Sequence, residues 1–466
     1  MVYSGKSVSD LKIAYIGGGS RGWAWGLMSD LAQAGDMSGE VYLYDIDYEA
    51  AKHNEIIGNR VADMDNCKSV WRYKAAETLG ETLRGADFVV ISILPATFEE
   101  MHSDVHTPEK YGIYQSVGDT SGPGGIIRAL RTIPMYEEFA LAIKEYCPQA
   151  WVISYTNPMT VCIKTLYSVF PQIKAFGCCH EVFGTQKLLV SAVRDMLEIE
   201  EPKRSEIKVN VLGVNHFTWL TGAKYRNTDL FPLYKEFADK YYYQGYLSGK
   251  DDNWMNNSFA CAHRVKFDLF KRFGYIAAAG DRHLAEFCPG DWYLKNPETV
   301  REWMFGLTSV EWRKNDLRER LVRSTRLING EESFDLNPTG EDGVKQIKAI
   351  LGLGDIVTNV NMPNIGQIPN LPLGAVVETN AYFTSDTVVP VSAGNVPLSI
   401  YPLISRICGE QQLIVKAALE KDLDIAFQAF TCDPLVRLSL NDAKKLFNEM
   451  LENTKEYLGG YSIPLR

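Results

Sequence analysis

Over the first two hundred positions, short apolar runs alternate with longer stretches of helical spacing. Leu11 to Ile16 has the length and character of a buried strand, and Trp23 to Gln33 then carries apolar residues at helical intervals, interrupted by Gly26. Val41 to Tyr44, Phe88 to Leu94, Trp151 to Ser154 and Ile173 to Phe176 are further strand-length runs, with a helical pattern over Ile133 to Tyr146. Strands alternating with helices predict a parallel, doubly wound sheet, because each parallel crossover needs a covering helix. Beyond about residue 200 the alternation weakens. Ile207 to Val214, Val376 to Phe383 and Val388 to Val391 read as strands, and Glu298 to Leu327, Ile400 to Leu419 and Asp442 to Tyr457 as helices. The pattern therefore predicts an α/β chain: a Rossmann-type doubly wound domain over 1–200, then an α+β domain over 201–466, the latter expected to complete the substrate site. Asn329 to Asp342 is the most loop-like stretch, and Tyr241 to Asn257, rich in Tyr, Asn and Gly, reads as a mobile flap.

Composition narrows the function. The 466 residues are 46% hydrophobic and 23% charged, as in globular proteins, and the length supports two or more domains. A net charge of −10 argues against a nucleic-acid partner, which would need a basic patch. It leaves an anionic small-molecule substrate open, since that needs only one or two local cations. Nine cysteines, an odd count in a long chain, do not read as a disulfide framework. Met1 to Asp10 lacks an apolar core, and no run approaches membrane length. The expectation is a cytoplasmic protein with reduced thiols and no membrane partner.

The chemistry is concentrated at predicted strand ends. Gly17-x-Gly19-Ser20-x-Gly22 follows a strand and opens a helix, the context in which glycines let backbone N–H groups approach a pyrophosphate. Asp45 ends the second predicted strand, where a carboxylate accepts hydrogen bonds from ribose hydroxyls and repels a 2′-phosphate, favouring NAD over NADP. Cys178-Cys179-His180-Glu181-Val182 and Asn215-His216 follow two other strand-like runs. Cys179 and His216 are metal-ligand types, yet taken alone they read equally well as core residues. Asp119 sits in Gly118-Asp119-Thr120-Ser121-Gly122, Asn157 precedes Pro158, and Asp281 lies in Gly280-Asp281-Arg282-His283. Their bland readings are a turn and two helix caps.

These segments resemble glycoside hydrolase family four, the NAD- and manganese-dependent glycosidases. The similarity runs in order through Ile16-Gly17-Gly18-Gly19-Ser20, Gly122-Pro123-Gly124-Gly125 with Arg128-Ala129-Leu130-Arg131, Thr156-Asn157-Pro158, Cys179-His180-Glu181-Val182 and Gly213-Val214-Asn215-His216-Phe217. The C-terminal half resembles the family mainly in length and in Val376-Val377-Glu378. Cys-His-Glu-Val resembles the α-galacturonidase subgroup, and His180 in place of Asn or Asp argues against a phosphosugar. An α-galactosidase, α-glucosidase or α-glucuronidase of the same family is the alternative. A hydroxy-acid dehydrogenase is more distant, because it leaves a thiolate at Cys179 without a role.

The resemblance implies hydride removal from C3 by NAD, loss of the acidified C2 proton, elimination of the C1 substituent, water addition and return of the hydride; the family is a stated exception to two-carboxylate hydrolysis. It implies Cys179 and His216 as ligands of Mn²⁺ or another divalent ion, although such donors intrinsically favour zinc or copper. His180 is the expected general acid and Asp281 the expected C2 base or its activator, a position where relatives often place a tyrosine. Asp119 and Asn157 are expected on sugar hydroxyls, and Arg282 with His283 near a substrate carboxylate. Homodimers or homotetramers are the family's usual states.

Overall fold

The computed structural model describes residues 1–247 and 261–463. Much of the expected flap, from residue 248 to Asn257, lies outside the described residues. Fourteen strands are present among them: β1 Val2–Ser4, β2 Ser7–Ile16, β3 Met37–Tyr44, β4 Trp71–Ala75, β5 Phe88–Ile91, β6 Trp151–Ser154, β7 Lys174–Gly177, β8 Ile207–Val214, β9 Phe217–Tyr225, β10 Thr228–Asp229, β11 Ile276–Ala277, β12 Ile356–Pro363, β13 Val376–Thr384 and β14 Thr387–Pro390.

Strands β4-β3-β2-β5-β6-β7 lie side by side and all run parallel. In sequence rank this is the order 3-2-1-4-5-6 of a dinucleotide-binding sheet, with its direction of winding reversing between β2 and β5. Side chains alternate across the strand. Ile13 and Tyr15 of β2 enter one core with Val41 and Val90, whereas Ala14 and Ile16 enter the opposite core with Val89 and Ile91. A strand buried on both faces must be apolar at successive positions, which is why these runs are continuous.

Three differences from the sequence expectation have physical causes. β4 escapes a search for apolar runs because it is half exposed, with Trp71 and Tyr73 buried and Arg72 exposed between them. β12, β13 and β14 do not form a separate sheet. They extend the first one antiparallel beyond β7, through the pair Asn361 and Gly177, and so cover an edge that would otherwise leave backbone groups unpaired. The division near residue 200 thus separates stretches of sequence that share one sheet. The helical stretch from Glu298 splits into Pro297–Glu302 and Val310–Asn329. The second helix starts afresh where the Ser309 side chain accepts from the Trp312 amide.

The second sheet is β8, β9, β10 and β11, all antiparallel. It packs beside helices Gly122–Tyr146, Tyr401–Glu420 and Leu440–Asn453 around a second apolar core. No helix among the described residues is long and apolar enough to cross a membrane.

Candidate active site at the carboxyl ends of the strands

The glycine loop leaves β2 at the point where the sheet reverses. Gly17 has φ of +89°, and a Cβ there would lie 1.9 Å from the Ser92 carbonyl oxygen beyond β5, so only glycine fits. Asp45 follows β3 and accepts from the Gly19 amide through Oδ2 at 2.9 Å and from the Asp47 amide through Oδ1 at 3.0 Å. Burial pushes its carboxyl up from the usual range, so these amides are needed to hold it charged. The Ser20 hydroxyl accepts from the Trp23 amide. Helix Trp23–Ala32 begins after Gly22, which offers no side chain to cap it, and among the described residues the buried Arg21 Nε has no hydrogen-bond partner. A helix start whose first amide alone is met by a side chain, beside an unsatisfied guanidinium nitrogen, fits a pyrophosphate.

β7 ends at Gly177, and the next two residues diverge. Cys178 belongs to one core, its thiol donating to Gln346 Oε1 at 2.9 Å; Cys179 belongs to the core on the other side. Burial, with Glu378 and Glu181 nearby, pushes the Cys179 thiol well above its ordinary value. A thiolate at that position therefore needs a cation beside it, which a divalent ion would supply.

Asn215 and His216 are the two connecting residues of the β8–β9 hairpin, since Val214 pairs with Phe217. His216 adopts a left-handed φ of +63°, a strained conformation for a non-glycine residue that concentrates at functional sites. Its Nδ1 lies 3.0 Å from Thr120 Oγ1, a contact that orients the ring and turns Nε2 to the other side. Burial and the neighbouring His283, whose ring centroid is 3.8 Å away, lower its pKa to about 3. The imidazole is thus neutral, the state a metal ligand requires. Among the described residues, the Oδ1 of Asn215 and Nδ1 of His283 are buried without a hydrogen-bond partner. A thiol, a neutral imidazole and unsatisfied polar atoms together fit a divalent cation.

A buried carboxylate joins the two hairpin and strand ends. Glu378 on β13 accepts from Asn215 Nδ2 at 3.2 Å and from Asn359 Nδ2 at 2.6 Å, and Asn359 Nδ2 also donates to the Cys179 carbonyl. Burial raises Glu378 to about 7 despite these donors. Glu181, which opens helix Glu181–Leu197, accepts from the Gly280 amide at 2.6 Å and lies 3.8 Å from His283 Nε2. His180 Nδ1 is 2.9 Å from Glu341, and its ring faces Trp23.

Of the other expected residues, Asp119 does join the cluster. It accepts from Thr120 Oγ1; burial opposes its ionisation, but Arg128 foremost, then His283 and Arg313, hold its carboxyl down at about 2. The Asn157 carbonyl accepts from Arg128 Nε, while among the described residues its side-chain Oδ1 is buried without a hydrogen-bond partner.

Asp281 and Arg282 are placed differently. Both carboxylate oxygens of Asp281 accept amides of helix Arg264–Phe273, from Val265 at 3.1 Å and Lys266 at 3.2 Å. It caps that helix from outside, so the expected helix-cap role is met on another helix, and its free lone pairs are fewer than a base would want. Burial nonetheless raises it to about 6. Cys261, His263 and Asp281 bring ligand-type atoms within 4.8 Å of one another, but the Lys266 ammonium 3.4 Å from His263 Nδ1 makes a poor neighbour for a metal ion. Arg282 donates to the carbonyls of Ser116 and Gly306. Two of its nitrogens, expected near a sugar carboxylate, are thus engaged by loop backbone.

Thr120, Arg128, Glu286, Glu341, Asn359 and Glu378 were missing from the expected site. Glu378 and Arg128 lie in the motifs that carry the family resemblance, which was the available signal. Glu341 and Glu286 had none.

A dinucleotide-type sheet, with a buried thiol linked through Glu378 and Asn215 to the hairpin that carries a neutral imidazole, has the make-up of a nucleotide-binding α/β protein. Comparison with known proteins resolves the class further. Residues 12–195 match the Family 4 glycosyl hydrolase model and residues 211–436 its C-terminal domain, and the chain belongs to that family. The α-galacturonidase of Thermoanaerobacterium saccharolyticum is 65% identical over 99% of this chain and 100% of its own length. That of Bacillus subtilis is 53% identical, over 96% and 98%. The crystal structure of Bacillus subtilis lplD is similar with a TM-score of 0.90 at 53% identity, covering 95% of this chain and 100% of that one.

Proposed function

We propose that this enzyme hydrolyses α-galacturonides, using NAD and a divalent ion, Mn²⁺, as cofactors. The observation that carries the substrate is the 65% identity, over essentially the full length of both chains, to a relative named for that activity. When bound, NAD takes up and returns a hydride at C3 of the sugar, and the ion offers positive charge to the C2 and C3 oxygens.

The chain supplies everything around that exchange. The Gly17–Gly22 loop and Asp45 hold the nucleotide. Cys179 and His216 hold the ion, with Thr120 fixing the imidazole and the Glu378–Asn359 pair fixing the strand end. Asp119, ionised by its cationic neighbours, and Asn157, with an unsatisfied amide oxygen, accept and orient sugar hydroxyls. His180, held by Glu341, donates a proton to the departing glycosidic oxygen. Asp281, with its carboxyl near 6, takes the C2 proton directly or activates the group that does. Nine free cysteines support a cytoplasmic location, and the family resemblance supports a homodimer or homotetramer.

The test is a panel of p-nitrophenyl α-galacturonide, α-galactoside, α-glucoside and α-glucuronide with NAD, Mn²⁺ and thiol present. The α-galacturonide should give the highest kcat/KM. A faster α-galactoside, or activity that survives chelation and nucleotide removal, overturns the reading.

A further inference from the structure

We infer that Glu286 and Arg282, one helical turn apart on Asp281–Glu286, are positioning residues that clamp the loop 116–118 and thereby hold Thr120 against the metal ligand His216. The inference rests on the reading of His216 as a ligand.

Both ends of the clamp are explicit. Glu286 Oε1 accepts two successive backbone amides, Val117 at 2.6 Å and Gly118 at 2.9 Å. Arg282 Nη2 donates to the Ser116 carbonyl, and the Ser116 hydroxyl donates back to the Arg282 carbonyl at 2.6 Å. The Ser116 carbonyl also accepts from the amide and hydroxyl of Thr308. Residues i and i+4 share one helix face, so a single turn can address consecutive loop residues. Gly118 has φ of +72° and leads directly into Asp119 and Thr120. Thr120 Oγ1 then touches both Asp119 Oδ1, at 2.7 Å, and His216 Nδ1, at 3.0 Å.

Glu286 is fully buried, as are Ser116 and Val117. A buried acidic side chain costs stability unless its bonds compensate, and the hydrogen bonds that Glu286 accepts come from loop backbone, with the Arg282 guanidinium nearby. An apolar residue would pack the helix more cheaply. The carboxyl therefore makes sense as a device for fixing the loop, and through it the ring that faces the metal.

The partner that orients a ligand histidine typically changes metal affinity 10–100-fold when removed. Mn²⁺ binding to the purified full-length protein, followed by electron paramagnetic resonance with NAD present, reads this without turnover. Glu286→Asp, shorter by one methylene, should weaken Mn²⁺ binding about tenfold or more while NAD affinity stays within about twofold. Glu286→Gln keeps the accepting oxygen and should restore wild-type affinity. Thr120→Val, nearly isosteric, should reproduce the loss. The double variant Glu286→Asp/Thr120→Val should lose no more than the weaker single variant, because both act through one contact.

Multiplicative losses in the double variant, or wild-type Mn²⁺ affinity in Glu286→Asp, overturn the clamp. A wild-type protein that binds no Mn²⁺ instead overturns the functional reading beneath it. If Glu286→Asp melts early, Thr120→Val and its pairing with Glu286→Gln still decide: a wild-type affinity in Thr120→Val refutes the link to His216.

Discussion

Exchanging each of the adjacent thiols for a hydroxyl separates ligand from scaffold. Cys178 and Cys179 follow β7 and point into opposite cores, with only Cys179 on the side of the Glu378–Asn215 cluster. Losing a group that merely orients a ligand typically costs about 10–100-fold in metal affinity, so losing the thiolate itself is put at about 3 kcal/mol. At about 1.4 kcal/mol per decade, that is about a hundredfold in Kd. Cys179→Ser should therefore weaken Mn²⁺ binding by about two orders of magnitude and abolish metal-dependent turnover, with NAD affinity unchanged. Cys178→Ser retains a donor toward Gln346, 2.9 Å away, and should lose about 1 kcal/mol of stability or less with metal affinity intact. Calorimetric titration with Mn²⁺ and thermal melts of both variants measure the two quantities separately. Metal binding lost in Cys178→Ser and kept in Cys179→Ser would refute the reasoning, because it would reverse the side of the sheet on which the ion lies.

Three further outcomes follow from the site. Asp45→Ala frees the Gly19 and Asp47 amides and should weaken NAD binding by about 1–3 kcal/mol, the range for a hydrogen bond to a charged acceptor; unchanged affinity in a fluorescence titration removes Asp45 from the nucleotide site. Turnover in D₂O should leave deuterium at C2 of the released sugar, and Asp281→Asn should slow exchange and hydrolysis together; unlabelled product by NMR excludes C2 deprotonation. Glu286 binds its proton more tightly when folded, its carboxyl raised from the ordinary 4.5 to about 8 mainly by burial. The folded state then holds more protons than the unfolded one between those values, so stability falls as pH rises through that window. Glu286→Gln removes this dependence, and the gap between variant and wild-type Tm should widen from pH 5 to pH 8; parallel Tm curves count against it.

Local rules were enough for a good part of the molecule. Apolar runs mark β2, β5, β6 and β7 because a strand buried on both faces has no room for polar alternation, and helices between them require parallel crossovers. The loop Gly17–Gly22 was legible from its glycine spacing between a strand and a helix, and the structure gives the reason at Gly17, where only glycine tolerates the approach of Ser92. Asp45, Cys179 and His216 stood out because each closes a strand-like run. Tertiary structure decided the rest. β4 is amphipathic and β12–β14 return to the sheet from about 180 residues downstream of β7, a pairing that no local pattern encodes. Asp281, expected in the chemistry, caps a helix that precedes it, and Arg282 and Glu286 bond a loop some 170 residues earlier. A side chain's residue type sets which bonds it can make, but which backbone amide or ring lies 3 Å away is set by how the two sheets pack. That packing is non-local, and so the cluster around His216 became visible only in three dimensions.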